Sequence, residues 1–174
     1  MGFRRLYTLL FAVLLTLAMA TPADAGRRFT DNGDGTVTDH LLGVMWSKHD
    51  NNGDISWREA KQWVTYTFAY TLPVHYDNWR LPTLAELQSL VDKAKGYESD
   101  CGQWVYIVPL IRISCGWLWT SEKDRLSPSA KVFNFNNVYH YMDRMAHRRA
   151  YRALPVRDLE QGKVRTTQPS SKTP

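Results

Sequence analysis

The sequence predicts an α+β domain. Three observations carry that class. Two segments in the first half pair a helix start signal with apolar residues at helical spacing. The second half alternates short apolar runs with turn residues. The two kinds of segment are segregated along the chain, so no βαβ alternation points to a parallel sheet. The expected sheet is small, mostly antiparallel and loop-rich.

The elements follow in order. Phe29 to Asp39 reads FTDNGDGTVTD, with turn dipeptides at Asn32-Gly33 and Asp34-Gly35. Thr36-Val37-Thr38 is a strand candidate, and Leu41 to Trp46 (LLGVMW) is its partner. Asp50 to Asp54 (DNNGD) is a tight polar loop. Ser56 then caps a helix and Glu59 closes a capping box, with Trp57, Ala60, Trp63, Val64 and Phe68 on one face. In the second helix Thr83 is the cap, Glu86 closes the box, and Leu84, Leu87, Leu90 and Val91 form the stripe. Pro82 enforces an extended entry and Gly96 is the expected stop. Gly102 to Ile113 and Trp117 to Ser121 are β-rich. Lys131 to Phe135 alternates as a half-buried strand, Asn136-Asn137 turns, and Val138 to Met142 returns. Tyr151 to Val156 reads as a last strand, with Pro155 at an edge or bulge.

The chain begins with Arg4 and Arg5, an apolar run from Leu6 to Ala20, a break at Thr21-Pro22, and Ala23-Asp24-Ala25 before Gly26. Residues 1–25 therefore read as a cleaved signal peptide, an uncleaved anchor being the alternative. Residues 26–160 are the expected domain and 161–174 a disordered tail. The expected location is periplasmic, cell-surface or secreted. No later apolar run approaches membrane length. A net charge of +5 on 174 residues is too mild to indicate nucleic acid, and 44% hydrophobic content argues against wholesale disorder.

Export changes how Cys101 and Cys115 read. In an oxidising compartment they suit a structural disulfide closing a loop of about 14 residues, which stabilises by roughly 3 kcal/mol. A redox or catalytic thiol pair is the alternative, although such pairs usually sit closer, as in C-x-x-C. No G-x-S-x-G, H-E-x-x-H or Walker sequence is present. The five histidines show no metal-ligand spacing. Asp54, Glu59, Asp77 and Glu86 offer carboxylates for glycosidase work, but two of them already have capping roles. No cofactor is required. Asp31, Asp34 and Asp39 in one loop, and Asp50, Asn52 and Asp54 in another, have oxygens that suit Ca²⁺. The same residues beside glycine are also what turns prefer.

A basic stretch contains Arg144, His147, Arg148, Arg149, Arg152 and Arg157, interleaved with Tyr139, Tyr141 and Tyr151. Guanidinium forks match sulfate and carboxylate oxygens, and tyrosine rings stack on sugar faces. A solvated charged loop is the plainer reading. Trp104 is the tryptophan most suspected of exposure to a sugar. Trp57, Trp63, Trp79, Trp117 and Trp119 are expected in the core.

Five segments together form a resemblance. They are RFTDNGDGTVTDHLLGVMWSK from Arg28, ISWREA from Ile55, DNWRLPTLAELQSLVD from Asp77, LWTSEK from Leu118 and ALPVRD from Ala153. In this order they resemble the family named after the C-terminal domain of the Legionella collagen-like adhesin, over residues 28–158. The resemblance implies a C-type-lectin-like fold, more distantly related to the formylglycine-generating enzymes. It also implies adhesin-like recognition of sulfated or other polyanionic glycans. Two further functional readings are a protein-interaction module of an envelope assembly and an enzyme of the formylglycine-generating type. Oligomerisation is open, since the chain has no collagen-like repeats.

Overall fold

The computed structural model describes residues 27–159. The signal peptide expected over 1–25 and the tail expected over 161–174 lie outside the described residues. The strands are β1 (Phe29–Asp31), β2 (Thr36–Asp39), β3 (Val44–Ser47), β4 (Tyr97–Glu98), β5 (Trp104–Val105), β6 (Trp117–Lys123), β7 (Ser129–Asn134), β8 (Tyr139–Arg144), β9 (Tyr151–Arg152) and β10 (Val156–Asp158). The helices are α1 (Trp57–Gln62) and α2 (Leu84–Ser89). One four-stranded sheet has the order β1-β2-β3-β10 and a second the order β8-β7-β6-β9, with β4 and β5 forming a short ribbon. Every pairing between these strands is antiparallel except β6 with β9. The fold is α+β, with two sheets and a ribbon where one small loop-rich sheet was expected.

Both capping boxes form. The Ser56 and Thr83 hydroxyls accept from the Glu59 and Glu86 N–H groups, and each glutamate reaches back to its cap. Ser56 donates its hydroxyl hydrogen to Glu59 as well, at 2.6 Å. The helix ends differ from expectation. After α1 the backbone widens into a π turn over Trp63–Thr67 and tightens into a 3₁₀ turn over Phe68–Thr71. The helix α2 stops at Ser89, because Val91 is drawn into a bridge with Ile107. Gly96 is not the stop. A side chain there would meet the Trp104 indole nitrogen at 2.6 Å and the Val105 carbonyl at 2.8 Å.

The expected strand from Tyr151 to Val156 divides between the two sheets. Tyr151 and Arg152 pair with β6, whereas Val156 onward pairs with β3. Pro155 has no N–H to donate. Its carbonyl instead takes the Ser47 N–H at 2.9 Å, at the crossing point. Gly102 to Ile113 is mostly loop, with only Trp104–Val105 in a strand. The strand β1 carries no sequence signal, and it exists by pairing with Val37 to Asp39.

The main core joins Val37 and Trp46 of the first sheet to Leu118 and Phe133 of the second, with Leu87, Leu90, Ile107 and Leu154 between them. A second cluster packs Trp57, Ala60 and Val64 against Trp119, Val132 and Tyr151. Two indoles latch α1 to β6. Trp57 Nε1 donates to the Thr120 carbonyl and Trp119 Nε1 to the Ile55 carbonyl, each at 2.8 Å. A third cluster holds Met45, Phe68, Ala69 and Trp79.

Arg80 ties the start of α2 to the last strand, reaching Glu86 at 2.7 Å and Asp158 at 2.6 Å. Burial pushes the Glu86 carboxyl upward, but the Arg80 and Thr83 hydrogen bonds outweigh it and hold its pKa below the ordinary glutamate value. Such a group adds stability above its unfolded pKa, and that stability is lost as pH falls through the folded pKa. Glu86→Gln should therefore flatten acid unfolding below about pH 4. Equal acid slopes for the two proteins, in denaturant titrations across that range, would contradict the assignment.

Candidate functional site

The helix α1 buries Trp57 and so turns Arg58 outward. The Trp57 N–H donates to the Met145 carbonyl at 3.0 Å, and the Met145 N–H to the Pro128 carbonyl at 2.8 Å. These bonds draw the helix start, the end of β8 and the β6–β7 turn together. A groove of about 480 Å³ results, lined by Ser56, Arg58, Glu59, Pro128, Arg144, Met145, Ala146 and Arg148. A neighbouring hollow shares Arg144 and Ala146 with it and adds Asp143 and His147.

Three arginines thus line one groove. Among the described residues, Arg58 and Arg144 form no ion pair, and Arg148 pairs with Glu59 at 3.1 Å while remaining 59% exposed. Cations held without a neutralising carboxylate attract anions over roughly a Debye length, about 8 Å at physiological salt. The sequence reading missed Arg58. Its only signal was its position on the outward face of a capped amphipathic helix.

The rest of the basic stretch does not converge there. His147 bonds Asp143 at 2.7 Å, and Tyr151 donates its hydroxyl to the same carboxylate. Burial works against ionisation of Asp143, but those two bonds hold its pKa below the ordinary value. Burial and the adjacent Asp143 push the Tyr151 hydroxyl well above the ordinary phenol range. Arg149 is exposed, and its charge helps keep the Asp54 carboxyl low beside the stronger hydrogen bonds from Arg152 and the Ala150 N–H. Arg152 is a structural cation. Its side chain is 11% exposed, bonds Asp54 at 2.6 Å and donates to the Ser114 hydroxyl at 2.7 Å. Arg157 is buried.

The strand β8 is the edge of its sheet. Arg144 stands at one end. At the other, Tyr139 stacks with Tyr141 at 6.2 Å, and Trp117 meets Tyr141 edge-on at 5.2 Å. The two ends lie roughly 17 Å apart along the strand. Trp104 is half exposed, and its carbonyl accepts from the Asn136 side chain at 2.6 Å, near the tyrosine end. Of the tryptophans expected inside, Trp57, Trp79 and Trp119 are buried, whereas Trp63 and Trp117 are half-buried.

The carboxylates considered for Ca²⁺ hold other partners. Asp39 accepts two bonds from Arg28 and caps the turn at Leu41 and Leu42. Asp34 accepts from Thr36 and from the Tyr76 hydroxyl. Asp31 holds Lys48 and the Gly33 N–H, and Asp54 holds Arg152. Asp50 accepts from the Ser114 N–H and hydroxyl and from the Asn52 N–H. Asn52 takes a positive φ of 48° in that turn. Burial raises the Asp50 pKa, against the hydrogen bonds that lower it. Among the described residues, no three His, Cys, Asp or Glu side chains are grouped to hold a metal ion.

Cys101 and Cys115 form a disulfide with a Cα–Cα distance of 5.3 Å, which fits a non-cytoplasmic setting. No described helix is long and apolar enough to cross a membrane. No curated protein matches the chain in sequence. The model of the Lcl C-terminal domain family matches residues 35–157, a span running from the DNGDG turn through the capped helices to Arg157 of the last strand, and the chain belongs to that family.

Proposed function

We propose that this chain is an exported, non-catalytic binding domain of C-type-lectin-like build that recognises polyanionic glycans, sulfated ones above all. The observation that carries this reading is the convergence of Arg58, Arg144 and Arg148 on one groove. Guanidinium groups bond sulfate and carboxylate oxygens in bidentate fashion. The tyrosines along the same strand offer stacking faces for the sugar rings. An enzyme of the formylglycine-generating type draws less support, because its chemistry uses a thiol pair and Cys101 and Cys115 are bonded to each other. The reading as an envelope interaction module rests on β8, an edge strand with Tyr139, Tyr141 and Met142 exposed, which suits addition of a partner strand.

Heparin chromatography tests the proposal. The wild-type chain should elute above about 0.15 M salt, where loose charge contacts are already screened. Arg58→Ala/Arg144→Ala should elute at clearly lower salt. Lys93→Ala/Lys95→Ala removes the same charge from a different loop and should elute close to wild type. Equal losses in the two double variants would reduce the binding to net charge and contradict a built site.

A further inference from the structure

Arg157 has an unusual setting for a buried cation. It lies in β10 opposite Met45 of β3. The bridge between Arg80 and Val156 places Trp79 opposite it on the other side. Side chains directly opposite on adjacent strands share a face, so Arg157 sits between Met45 and Trp79 on one face. Arg157 is 7% exposed and Trp79 is 3% exposed. The guanidinium lies over the Tyr76 ring at 5.3 Å, and Phe68 meets Trp79 edge-on at 4.7 Å.

Three of the other arginines with low exposure have carboxylates: Arg28 holds Asp39, Arg80 holds Glu86 and Asp158, and Arg152 holds Asp54. Arg157 forms no ion pair among the described residues, and its buried Nε has no acceptor. The buried indole nitrogen of Trp79 has none either. A nearby carboxylate, Asp34, is occupied by the Tyr76 hydroxyl at 2.7 Å and by Thr36. A buried cation or polar donor is normally paired, and each exception calls for a physical reason. Among the described residues three buried side-chain donors lack an acceptor, Trp46 Nε1, Trp79 Nε1 and Arg157 Nε, and the last two belong to residues opposite each other in register.

We propose that Arg157 and Trp79 form a second site, separate from the arginine groove, that accepts a small oxyanion group, a carboxylate or a sulfate. Adjacent strands lie about 4.8 Å apart. Donors on β10 and on the bridged segment beside it suit two oxygens of one group better than a single spherical ion. Tyr76 covers Arg157 with its ring and donates its hydroxyl to Asp34, a residue that lines a separate cleft of about 560 Å³ with Trp63, Phe68 and Leu72. Entry of the anion requires the Tyr76 ring to move aside, and Asp34 is the hydrogen-bond partner that holds it.

Titration of the ¹⁵N-labelled full chain with sodium sulfate and with sodium acetate, each against sodium chloride at equal ionic strength, tests this. The Arg157 Nε–H and Trp79 indole N–H resonances should move together and saturate, with an apparent Kd of about 1 mM or tighter. Saturation by sulfate alone assigns a tetrahedral group, and saturation by acetate alone a carboxylate. Trp79→Phe keeps an aromatic ring and removes the donor, and should weaken binding roughly fivefold or more. Arg157→Lys keeps the charge, loses the fork, and should weaken it too. The proposal is overturned if neither oxyanion gives saturation, if chloride saturates equally well, or if Trp79→Phe binds as tightly as wild type.

Discussion

Trp119→Ala should destabilise the domain by about 3–5 kcal/mol. The ring is fully buried and packs on Tyr151 at 4.6 Å. Its truncation opens a hole in the cluster, shared with Trp57, Val132 and Ala153, that seats α1 on the second sheet. It also strips the Ile55 carbonyl of its indole donor. A domain of this size is stable by only about 5–15 kcal/mol, so the change takes a large share of the total. The same truncation at half-exposed Trp104 should stay within about 1 kcal/mol. Urea titrations of both variants make the comparison. A loss below about 1.5 kcal/mol for Trp119→Ala would mean that this cluster does not hold the helix. The link to function is direct, since the cluster brings Arg58 on α1 to the groove.

Removing the disulfide should be the next largest change. Cys101→Ser/Cys115→Ser opens a loop spanning 14 positions, which costs roughly 3 kcal/mol in the chain-entropy picture. For a domain of this length that corresponds to a fall in Tm of roughly 10 °C. The loop needs the restraint. Apart from β5 and the bridges at Ile107 and Arg112 it has little regular structure, and it contributes Ile107, Ile111 and Ile113 to the main core. A double variant melting within about 2 °C of wild type would show that core packing alone fixes the loop.

How much of this was legible in the sequence depended on whether the signal was local. The capping boxes at Ser56 and Thr83 were, because all their partners lie within three residues. The β2–β3 hairpin was, because its turn and its alternation are contiguous. The end of α2 was not, since the bridge of Val91 to Ile107 is a tertiary choice. Nor was the division of Tyr151 to Val156 between two sheets, which is decided by β6 and β3 far away in the chain.

The basic stretch shows the same limit. Its residues look equivalent in the sequence, yet Arg152 is held by Asp54 and Ser114, Arg157 is buried under Tyr76, and Arg144 and Arg148 face the groove. Charge spacing carries no information on burial. Arg58, the third member of the groove, comes from a helix that only tertiary packing brings near.

Chemical-shift mapping with a sulfated heparin tetrasaccharide tests the glycan-binding proposal most directly. Polyanion binding at the groove predicts shifts concentrated on Ser56 to Glu59, Pro128 neighbours and Arg144 to Arg148, extending along β8 toward Tyr141. Shifts centred on the Asp34 and Asp50 loops, or no saturable shifts at physiological salt, would contradict it.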